Sequence, residues 1–376
     1  MTWRERGFEG FWTRAARMSD GPELRDRRKT GVWLRQLCGP ARNRRKTAAR
    51  FQTGPKPEES TGKIRYVMEK KKVILDIRNV SVSFEQYERG FRKRKLPVIR
   101  SLDVTVHEGE MVAVVGSSGS GKSLLAHGIL GILPYNASMS GEMLYDGAPL
   151  TKERQKALRG SEIALVPQSV AFLDPLMKIG PQIRKGKKDR ASRERLNDIF
   201  RGYHLKEEVQ EQYPFELSGG MNRRVLVSTA LMGSPRLVIA DEPTPGLHMD
   251  MVRRVMGHFR ELADRGAGVL LITHDLEQAL QVADRVVVFY SGMTVEDASV
   301  QDFQREETLR HPYTRALWRA MPENGLQFLP GTQPYVKDLP EGCPFGPRCE
   351  ACTEECRREI PVRELRGGSV RCVHAT

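Results

Sequence analysis

Short apolar runs recur along the chain after residue 72 and alternate with stretches of helical periodicity. Five of these runs have only four or five residues, a length that suits strands better than helices. They are Met111–Val115, Ile163–Val166, Leu237–Ala240, Val269–Thr273 and Val286–Tyr290. Strands buried on both faces of a parallel sheet have this pattern, and helices cover the two faces. The pattern therefore predicts an α/β fold with a parallel-sheet core.

Two strands of a different kind are predicted before the first of these runs. Val73–Phe84 alternates apolar and polar residues, and Leu102–Val106 follows a basic insertion at Arg89–Lys95. After the first run, a glycine-rich turn leads into a helix predicted at Ser123–Leu133. This order of strand, turn and helix is typical of a βαβ unit.

The same periodicity divides the chain into parts. Residues 170–232 carry helical patterns and predict a helical subdomain inside one α/β domain at residues 73–298. Residues 299–376 form a C-terminal extension, and residues 1–72 form a basic N-terminal extension that we expect to be disordered. We find no internal repeat in the sequence, so we expect a single α/β domain.

Positive charge is concentrated at the N-terminus. Residues 1–67 contain 17 Lys and Arg against 7 Asp and Glu, a net charge of +10. The whole chain has a net charge of +14, so the remaining residues contribute only +4. The rest of the chain is only weakly basic, so we expect no nucleic-acid partner for the α/β domain. One hypothesis is that translation starts at Met68. The alternative is a genuine basic tail that contacts anionic lipid or ribosomal RNA.

Neither a membrane span nor a secretory signal is predicted. The best apolar candidate, Leu124–Leu133, is shorter than a span and is interrupted by His127. The first 20 residues carry Arg4 and three further arginines without an apolar stretch between them.

A phosphate-binding motif follows the strand predicted at Met111–Val115. Its residues are Gly116, Ser117, Ser118, Gly119, Ser120, Gly121, Lys122 and Ser123, which fit G-x-x-x-x-G-K-[ST]. Glycines allow the backbone N–H groups to surround a phosphate chain, and the helix N-terminus adds partial positive charge. We expect Lys122 to reach the β- and γ-phosphates of ATP and Ser123 to bind Mg²⁺.

Two carboxylates end the strand predicted at Leu237–Ala240. Asp241 is expected to hold Mg²⁺, and Glu242 to orient the water that attacks the γ-phosphate or to accept its proton. An apolar strand that ends in Asp-Glu is a weak signal by itself, but the phosphate-binding motif makes it strong.

A third motif resembles the LSGGQ-type signature of the ABC transporter ATPases. It comprises Leu217, Ser218, Gly219, Gly220 and Met221. The resemblance implies the P-loop fold of an ABC ATPase and ATP hydrolysis. It also implies that the signature contacts the γ-phosphate bound to the opposite subunit. The serine hydroxyl and glycine N–H groups at a helix start suit this role.

Further residues match this family in order. Gln168 resembles the glutamine that senses Mg²⁺ and the membrane partner, and His274 the histidine that contacts the γ-phosphate. Phe84 matches by spacing the aromatic residue that stacks on adenine, although Tyr87 and Phe91 lie nearby and an ordinary strand aromatic is the alternative.

One loop departs from the family pattern. Pro245-Gly246-Leu247-His248 stands where the family reads S-A-L-D or similar, so His248 replaces an aspartate. In the family this loop crosses the dimer interface. The change puts in doubt how strongly this subunit supports the opposite site.

Two further segments resemble oligopeptide/dipeptide/nickel importer ATPases, a resemblance that covers about residues 73–374. Arg310–Leu317 resembles their H-P-Y-T-x-x-L segment, and Phe172–Gly180 resembles their S-L-N-P-x-x-x-I-G stretch with Asp174 in place of Asn. The resemblance implies import of peptides, with nickel or metal–chelator complexes as the alternative cargo. A soluble ABC ATPase outside transport is an alternative from another class.

Five of the six cysteines lie in the last 34 residues. By position Cys343, Cys349, Cys356 and Cys372 match the family's cysteine-bearing extension, and Cys352 is extra. The resemblance implies a [4Fe–4S] cluster, while four thiolates would also suit Zn²⁺. Reduced cysteines without a metal are the alternative, and a disulfide knot would need an oxidising compartment.

The importer resemblance also implies partners and a location. We expect two membrane permease subunits, a second and different ATPase subunit, and an extracytoplasmic solute-binding protein. The chain would work as a peripheral subunit on the cytoplasmic face of the cell membrane, with ATP and Mg²⁺ as its cofactors.

Overall fold

The computed structural model describes residues 71–87, 92–117 and 119–376. The predictions for residues 1–70, for a start at Met68 and for Ser118 lie outside the described residues. The strands are Val73–Tyr87 (β1), Lys93–His107 (β2), Met111–Val115 (β3), Ala137–Tyr145 (β4), Ala148–Pro149 (β5), Ile163–Val166 (β6), Leu237–Asp241 (β7), Gly268–Thr273 (β8), Arg285–Tyr290 (β9), Met293–Ser299 (β10), Arg363–Leu365 (β11) and Gly368–Val370 (β12). The α-helices are Lys122–Ile129 (α1), Lys152–Leu158 (α2), Ile179–Ile183 (α3), Arg190–Gly202 (α4), Gly219–Leu231 (α5), Met249–Asp264 (α6), Leu276–Leu280 (α7) and Pro312–Arg319 (α8).

Five parallel strands form the centre of the sheet in the order β6-β7-β8-β3-β9. Their bounds differ from the five predicted apolar runs by at most one residue at either end. All residues of β3, β7 and β8 are buried, because both faces of the sheet are covered. The predicted parallel core is thus confirmed for the centre of the sheet.

The complete sheet is mixed rather than parallel. β1 pairs antiparallel with β2 and β4, and β10 pairs antiparallel with β9. Ser291 and Gly292 connect β9 to β10 with φ of 44° and 83°, the left-handed backbone that tight hairpin turns require. The antiparallel strands lie on one side of the parallel centre and lengthen the sheet to 12 strands among the described residues.

Two elements depart from their predicted bounds. β2 begins at Lys93 rather than Leu102, so part of the basic insertion is strand. Its exposed basic residues hide the alternation that normally marks a strand. α1 ends at Ile129 rather than Leu133, because Gly131 adopts a left-handed φ of 63° that no α-helix continues through.

Alternate residues of β3 face two different hydrophobic cores. Met111, Ala113 and Val115 pack with residues of α5 and α6, whereas Val112 and Val114 pack with residues of β1, β2 and α1. β3 therefore lies between the two cores, and the loop that follows it begins from a fixed base.

Residues 170–232 contain α3, α4 and α5, joined in part by short 3₁₀ turns. Leu196 and Phe200 of α4 are buried with Val225 of α5 in the first of the two cores. Among the described residues, no helix combines the length and the apolar character that crossing a membrane requires.

The C-terminal extension is attached to the α/β domain through β10, which lies between β2 and β9 in the sheet. β12 pairs antiparallel with β10, with Val370 opposite Glu296. Glu296 also accepts hydrogen bonds from the backbone N–H groups of Arg310 and His311, each at 2.8 Å. The start of α8 is thereby fixed to the same sheet that carries the phosphate-binding motif.

Candidate nucleotide site

The phosphate-binding motif forms a loop between β3 and α1. Gly119 and Gly121 have φ of 75° and 97°, which favour glycine over any other residue. A Cβ at Gly116 would lie 2.1 Å from the carbonyl oxygen of Phe289, so the loop starts in close contact with β9. Ser120 is buried, and its hydroxyl has no hydrogen-bond partner among the described residues. The loop ends at the N-terminus of α1, where backbone N–H groups favour an anion.

Lys122 is buried and folds back over the loop. Its Nζ donates to the carbonyl oxygens of Gly116 at 2.9 Å and Ser117 at 2.8 Å. Burial lowers the pKa of Lys122, while the nearby carboxyl groups of Glu242 and Asp241 raise it. The ammonium group thus lies near the loop and near two carboxylates, of which Asp241 was predicted to hold Mg²⁺ and Glu242 to act on the attacking water.

Two of the three predicted Mg²⁺ ligands, Ser123 of α1 and Asp241 of β7, contact each other, and the third, Gln168, is hydrogen-bonded to neither among the described residues. Ser123 Oγ donates to Asp241 Oδ1 at 3.1 Å. Burial raises the pKa of Asp241, and the hydrogen bond from Ser123 opposes this rise. Hydroxyl and carboxylate oxygens are the donors that Mg²⁺ prefers, so the two residues fit that ion. Gln168 is exposed just beyond β6 and makes no hydrogen bond to Ser123 or Asp241 among the described residues.

Glu242 and His274 form a hydrogen-bonded pair at the ends of the adjacent strands β7 and β8. His274 Nδ1 lies 2.8 Å and 2.9 Å from the two carboxylate oxygens of Glu242. Because a carboxylate only accepts hydrogen bonds, Nδ1 carries the proton in this contact. Glu242 has a φ of 46°, a strained backbone for a non-glycine residue. Its side chain is only 9% exposed, whereas that of His274 is 58% exposed.

The signature lies at the start of α5 and makes no hydrogen bond to the phosphate loop in the part of the chain that the structure describes. Ser218 is the N-cap of α5, and its hydroxyl accepts from the N–H of Met221 at 3.3 Å. Gly219 is exposed, and a Cβ built there would meet nothing within 4 Å. The signature is therefore an open surface rather than part of a finished site.

Phe84 and His248 are the remaining predicted residues, on β1 and at the start of α6. Phe84 is half-buried on β1, opposite Leu96, and packs against the second core. His248 is exposed at the N-cap of α6 and makes no capping hydrogen bond with its side chain. The predicted roles of these two residues stay predictions.

Arg223 is a residue near the site that we did not predict. It is buried on α5, and its Nη1 donates to the carbonyl oxygen of Pro167 at 3.0 Å. Burial lowers its pKa, and the nearby Glu242 and Asp241 raise it. It links the helix of the signature to the residue before Gln168. The sequence offers only an arginine inside a largely apolar helix, which is a weak signal.

The cysteines of the extension gather around one short turn. The N–H of Cys343 donates to the carbonyl oxygen of Cys356 at 2.8 Å, and that of Cys349 donates to Gly346 at 3.1 Å. Burial raises the pKa of Cys343 to about 11, and the neighbouring Cys372 and Cys349 contribute to the rise. Among the described residues, no group of three or more His, Cys, Asp or Glu is arranged to hold a metal ion.

Two family models match the chain. The model described as "ABC transporter" matches residues 99–245, which include the phosphate loop, the signature and the Asp241–Glu242 pair. The model described as "Oligopeptide/dipeptide transporter, C-terminal region" matches residues 295–356.

Curated relatives match over most of the chain. The oligopeptide transport ATP-binding protein AppD of Bacillus subtilis is 33% identical over 322 residues, which cover 80% of this chain and 96% of AppD. This chain belongs to the oligopeptide/dipeptide branch of the ABC transporter ATPases. The dipeptide transport ATP-binding protein DppD of Escherichia coli is also 33% identical, over 78% of this chain and 93% of DppD. The family resemblance seen in the sequence is thus confirmed, and the chain is an ABC-type ATPase.

Solved structures share the fold. One described as the ATP-binding subunit of an ABC transporter is 26% identical with a TM-score of 0.52, over 62% of this chain and 92% of that one. The dimeric ABC transporter cassette MJ0796 is 23% identical with a TM-score of 0.53, over 60% of this chain and 99% of the cassette. These likenesses confirm an ABC ATPase fold built on a mixed sheet.

Proposed function

We propose that this chain is the ATP-binding subunit of a peptide importer and works at the cytoplasmic face of the membrane. The relatives AppD and DppD are named for oligopeptide and dipeptide transport, which supports peptides as the cargo. These names do not favour the nickel alternative. Residues 73–298 would form the nucleotide-binding domain, and residues 299–376 the extension.

The observation that carries the proposal is the separation of two motifs within one chain. Lys122, Asp241, Glu242 and His274 lie around the phosphate loop, whereas the exposed Ser218 begins a helix without a hydrogen bond to that loop. A signature that does not meet its own loop is available to the nucleotide of another chain. We infer a pair of different ATPase subunits, each supplying half of two ATP sites, together with two permeases and a solute-binding protein.

The phosphate loop and residues from other elements would hold the nucleotide together. The loop N–H groups and Lys122 would bind the phosphates, and Phe84 would stack on adenine. Ser123, Asp241 and Gln168 would hold Mg²⁺, which neutralises charge on the phosphates when it is bound. Such an ion would lower the pKa of the buried Asp241 carboxyl group, because a cation favours the charged form that burial disfavours.

Glu242 and His274 would act on the attacking water. The Nδ1–H of His274 holds the carboxylate of Glu242 in one orientation. That carboxylate can align the water and accept its proton as the water oxygen bonds to the γ-phosphorus and the bond from that phosphorus to the bridging oxygen of the leaving ADP breaks. Hydrolysis would then allow the two ATPase subunits to separate and the permeases to change access.

The test is uptake of a labelled peptide by cells that carry variants of this chain. Glu242→Gln and Lys122→Ala should abolish uptake, and Glu242→Gln should lower ATP hydrolysis by about 10²–10⁴-fold, the range for losing a general base. Glu277→Gln makes the same chemical change at an exposed residue of α7 and should retain both activities. Loss of nickel uptake with normal peptide uptake would favour the nickel alternative instead.

Co-purification separates the importer from a soluble ABC ATPase. We expect the tagged chain to bring down two membrane permeases and a second ATPase subunit from detergent-solubilised membranes. Recovery of the chain with ribosomes or DNA, and without any membrane protein, would contradict the proposal.

We also propose that Cys343, Cys349, Cys356 and Cys372 hold a [4Fe–4S] cluster, with Zn²⁺ as the alternative. Four thiols in one short extension fit either group in donor type, and ligation would favour the thiolate that burial disfavours. Anaerobic purification should give a brown protein with iron and acid-labile sulfide. Zinc without iron would support the alternative, and neither metal would contradict both.

A further inference from the structure

A segment of the C-terminal extension reaches the phosphate loop. The hydroxyl of Ser117, the second residue of the loop, donates a hydrogen bond to Gln333 Oε1. The two residues are 216 apart in the sequence, so this contact exists only because the extension folds back over the site. Ser117 is partly buried in that contact.

One arginine holds the backbone just before Gln333. The guanidinium of Arg348 donates to the carbonyl oxygens of Leu329, Pro330 and Gly331 at 3.2, 3.0 and 3.1 Å. Its Nη1 also donates to the hydroxyl of Tyr290 at 3.1 Å. Tyr290 is the last residue of β9, the strand that pairs with β3. We call residues 329–333 the strap, since Arg348 ties them to the same strands that carry the phosphate loop.

Buried aromatic rings lie beneath this arrangement. The ring centroid of Tyr290 lies 4.3 Å from that of Tyr313 and 5.4 Å from that of Phe345. Tyr313 comes from α8 and lies close to Ser117. Burial raises the pKa of Tyr313 to about 12, so the phenol stays protonated at neutral pH. Two parts of the extension, the strap and α8, thus converge on Ser117.

We propose that Gln333 is a positioning residue for the phosphate loop and that Arg348 holds it there. A phosphate loop binds through backbone N–H groups, so its affinity depends on how much ordering remains to be done on binding. Fixing the hydroxyl of Ser117 removes part of that freedom before ATP arrives. This inference rests on the proposed function only in taking ATP as the ligand of the loop.

The first test measures ATP binding and hydrolysis by the full-length chain with Gln333→Ala. The dissociation constant and KM for Mg-ATP should rise about three- to tenfold, the equivalent of one lost hydrogen bond, while kcat changes less than about twofold. Gln327→Ala is the matched control, because Gln327 lies exposed in the same extension and its side chain makes no hydrogen bond among the described residues. It should bind ATP like the parent.

A double-mutant cycle separates positioning from a general loss of stability. Ser117→Ala and Gln333→Ala remove the two ends of one contact, so the double variant should bind ATP no more weakly than Ser117→Ala alone. Additive losses would overturn the inference. If Gln333→Ala fails to fold, Gln333→Glu keeps the acceptor, adds a negative charge beside the loop, and should weaken ATP binding more at low salt.

Arg348 provides the second pair of variants. Arg348→Ala should weaken ATP binding as much as Gln333→Ala does, and Arg348→Lys should restore part of it. ATP binding by Gln333→Ala equal to that of the parent, or tighter, would overturn the inference, and tighter binding would identify the contact as inhibitory. A parent chain that binds no ATP, tested beside Lys122→Ala, would contradict the proposed function instead.

Discussion

Replacing Arg310 by methionine tests how the extension is attached. Arg310 is 1% exposed, and its guanidinium donates to Glu296 and Asp302, each at 3.2 Å. It also donates to the backbone carbonyl oxygens of Leu365 at 2.6 Å and Arg366 at 2.8 Å. One side chain therefore connects β10, the start of α8 and the turn before β12. Methionine keeps most of the length and loses every one of these hydrogen bonds.

The expected loss in the free energy of unfolding depends on the groups that lose Arg310 as their partner. Glu296 is fully buried, and removing one partner of a buried ion pair costs about 3–5 kcal/mol because the other charge remains without compensation. Glu296 keeps two backbone N–H donors, so we expect the cost of the lost ion pair to lie near the lower limit of that range, about 3 kcal/mol. The carbonyl oxygens of Leu365 and Arg366 each lose a donor, at about 1 kcal/mol apiece. We expect a total loss of about 5 kcal/mol in the free energy of unfolding.

Urea denaturation followed by circular dichroism measures this loss. Arg319→Met is the control, since Arg319 lies on the helix that follows Arg310. It pairs with Glu306, the two side chains stay 47% and 25% exposed, and such a pair contributes less than about 1 kcal/mol. Adding Glu296→Gln to Arg310→Met should recover part of the stability, because it removes the uncompensated charge. A loss from Arg310→Met no larger than that of the control would refute the reasoning.

Three further predictions concern single groups. His248→Asp should cap α6, raise stability by about 0.5–2 kcal/mol in urea denaturation, and leave ATP hydrolysis by the assembled complex at least as fast as the parent. In the reduced, metal-free chain, iodoacetamide should modify the exposed Cys352 first and Cys343, with a pKa of about 11, much later, as read by mass spectrometry. Burial lowers the pKa of His311 to about 3, and its Nδ1 accepts from the N–H of Tyr313. The unfolded chain therefore binds the extra proton below about pH 6.5, and stability should fall by about 1.4 kcal/mol per pH unit towards pH 3. His311→Asn should remove that slope.

The parallel centre of the sheet could be predicted from sequence because its strands are buried on both faces. β3 and β6 have the bounds that their apolar runs predict, and β7, β8 and β9 each gain one residue. The phosphate loop and the Asp241–Glu242 pair could also be located, since both come directly after such strands. The contact between Glu242 and His274 then follows from the pairing of β7 with β8.

Other features depend on contacts that leave no local pattern. β2 starts at Lys93 because it pairs with β1, not because its basic residues favour a strand. Gln333 lies in a stretch without periodicity, and only folding of the extension brings it to Ser117. Arg223 donates to a carbonyl oxygen 56 residues away in sequence, so its position beside the site could not be predicted from the local sequence either. These residues act through tertiary contacts alone, which local sequence does not specify.

The two halves of the proposed ATP site are ordered in different ways. The phosphate loop is held inside the chain, by the close approach of Gly116 to β9 and by the contact of Ser117 with Gln333. Ser218 and Gly219 of the signature are exposed, and the hydroxyl of Ser218 already caps its own helix. Binding of ATP to a loop that is already ordered costs little conformational entropy. In the proposed importer, more of the binding free energy would then be available for bringing the partner's signature onto the γ-phosphate, the step that we propose moves the permeases.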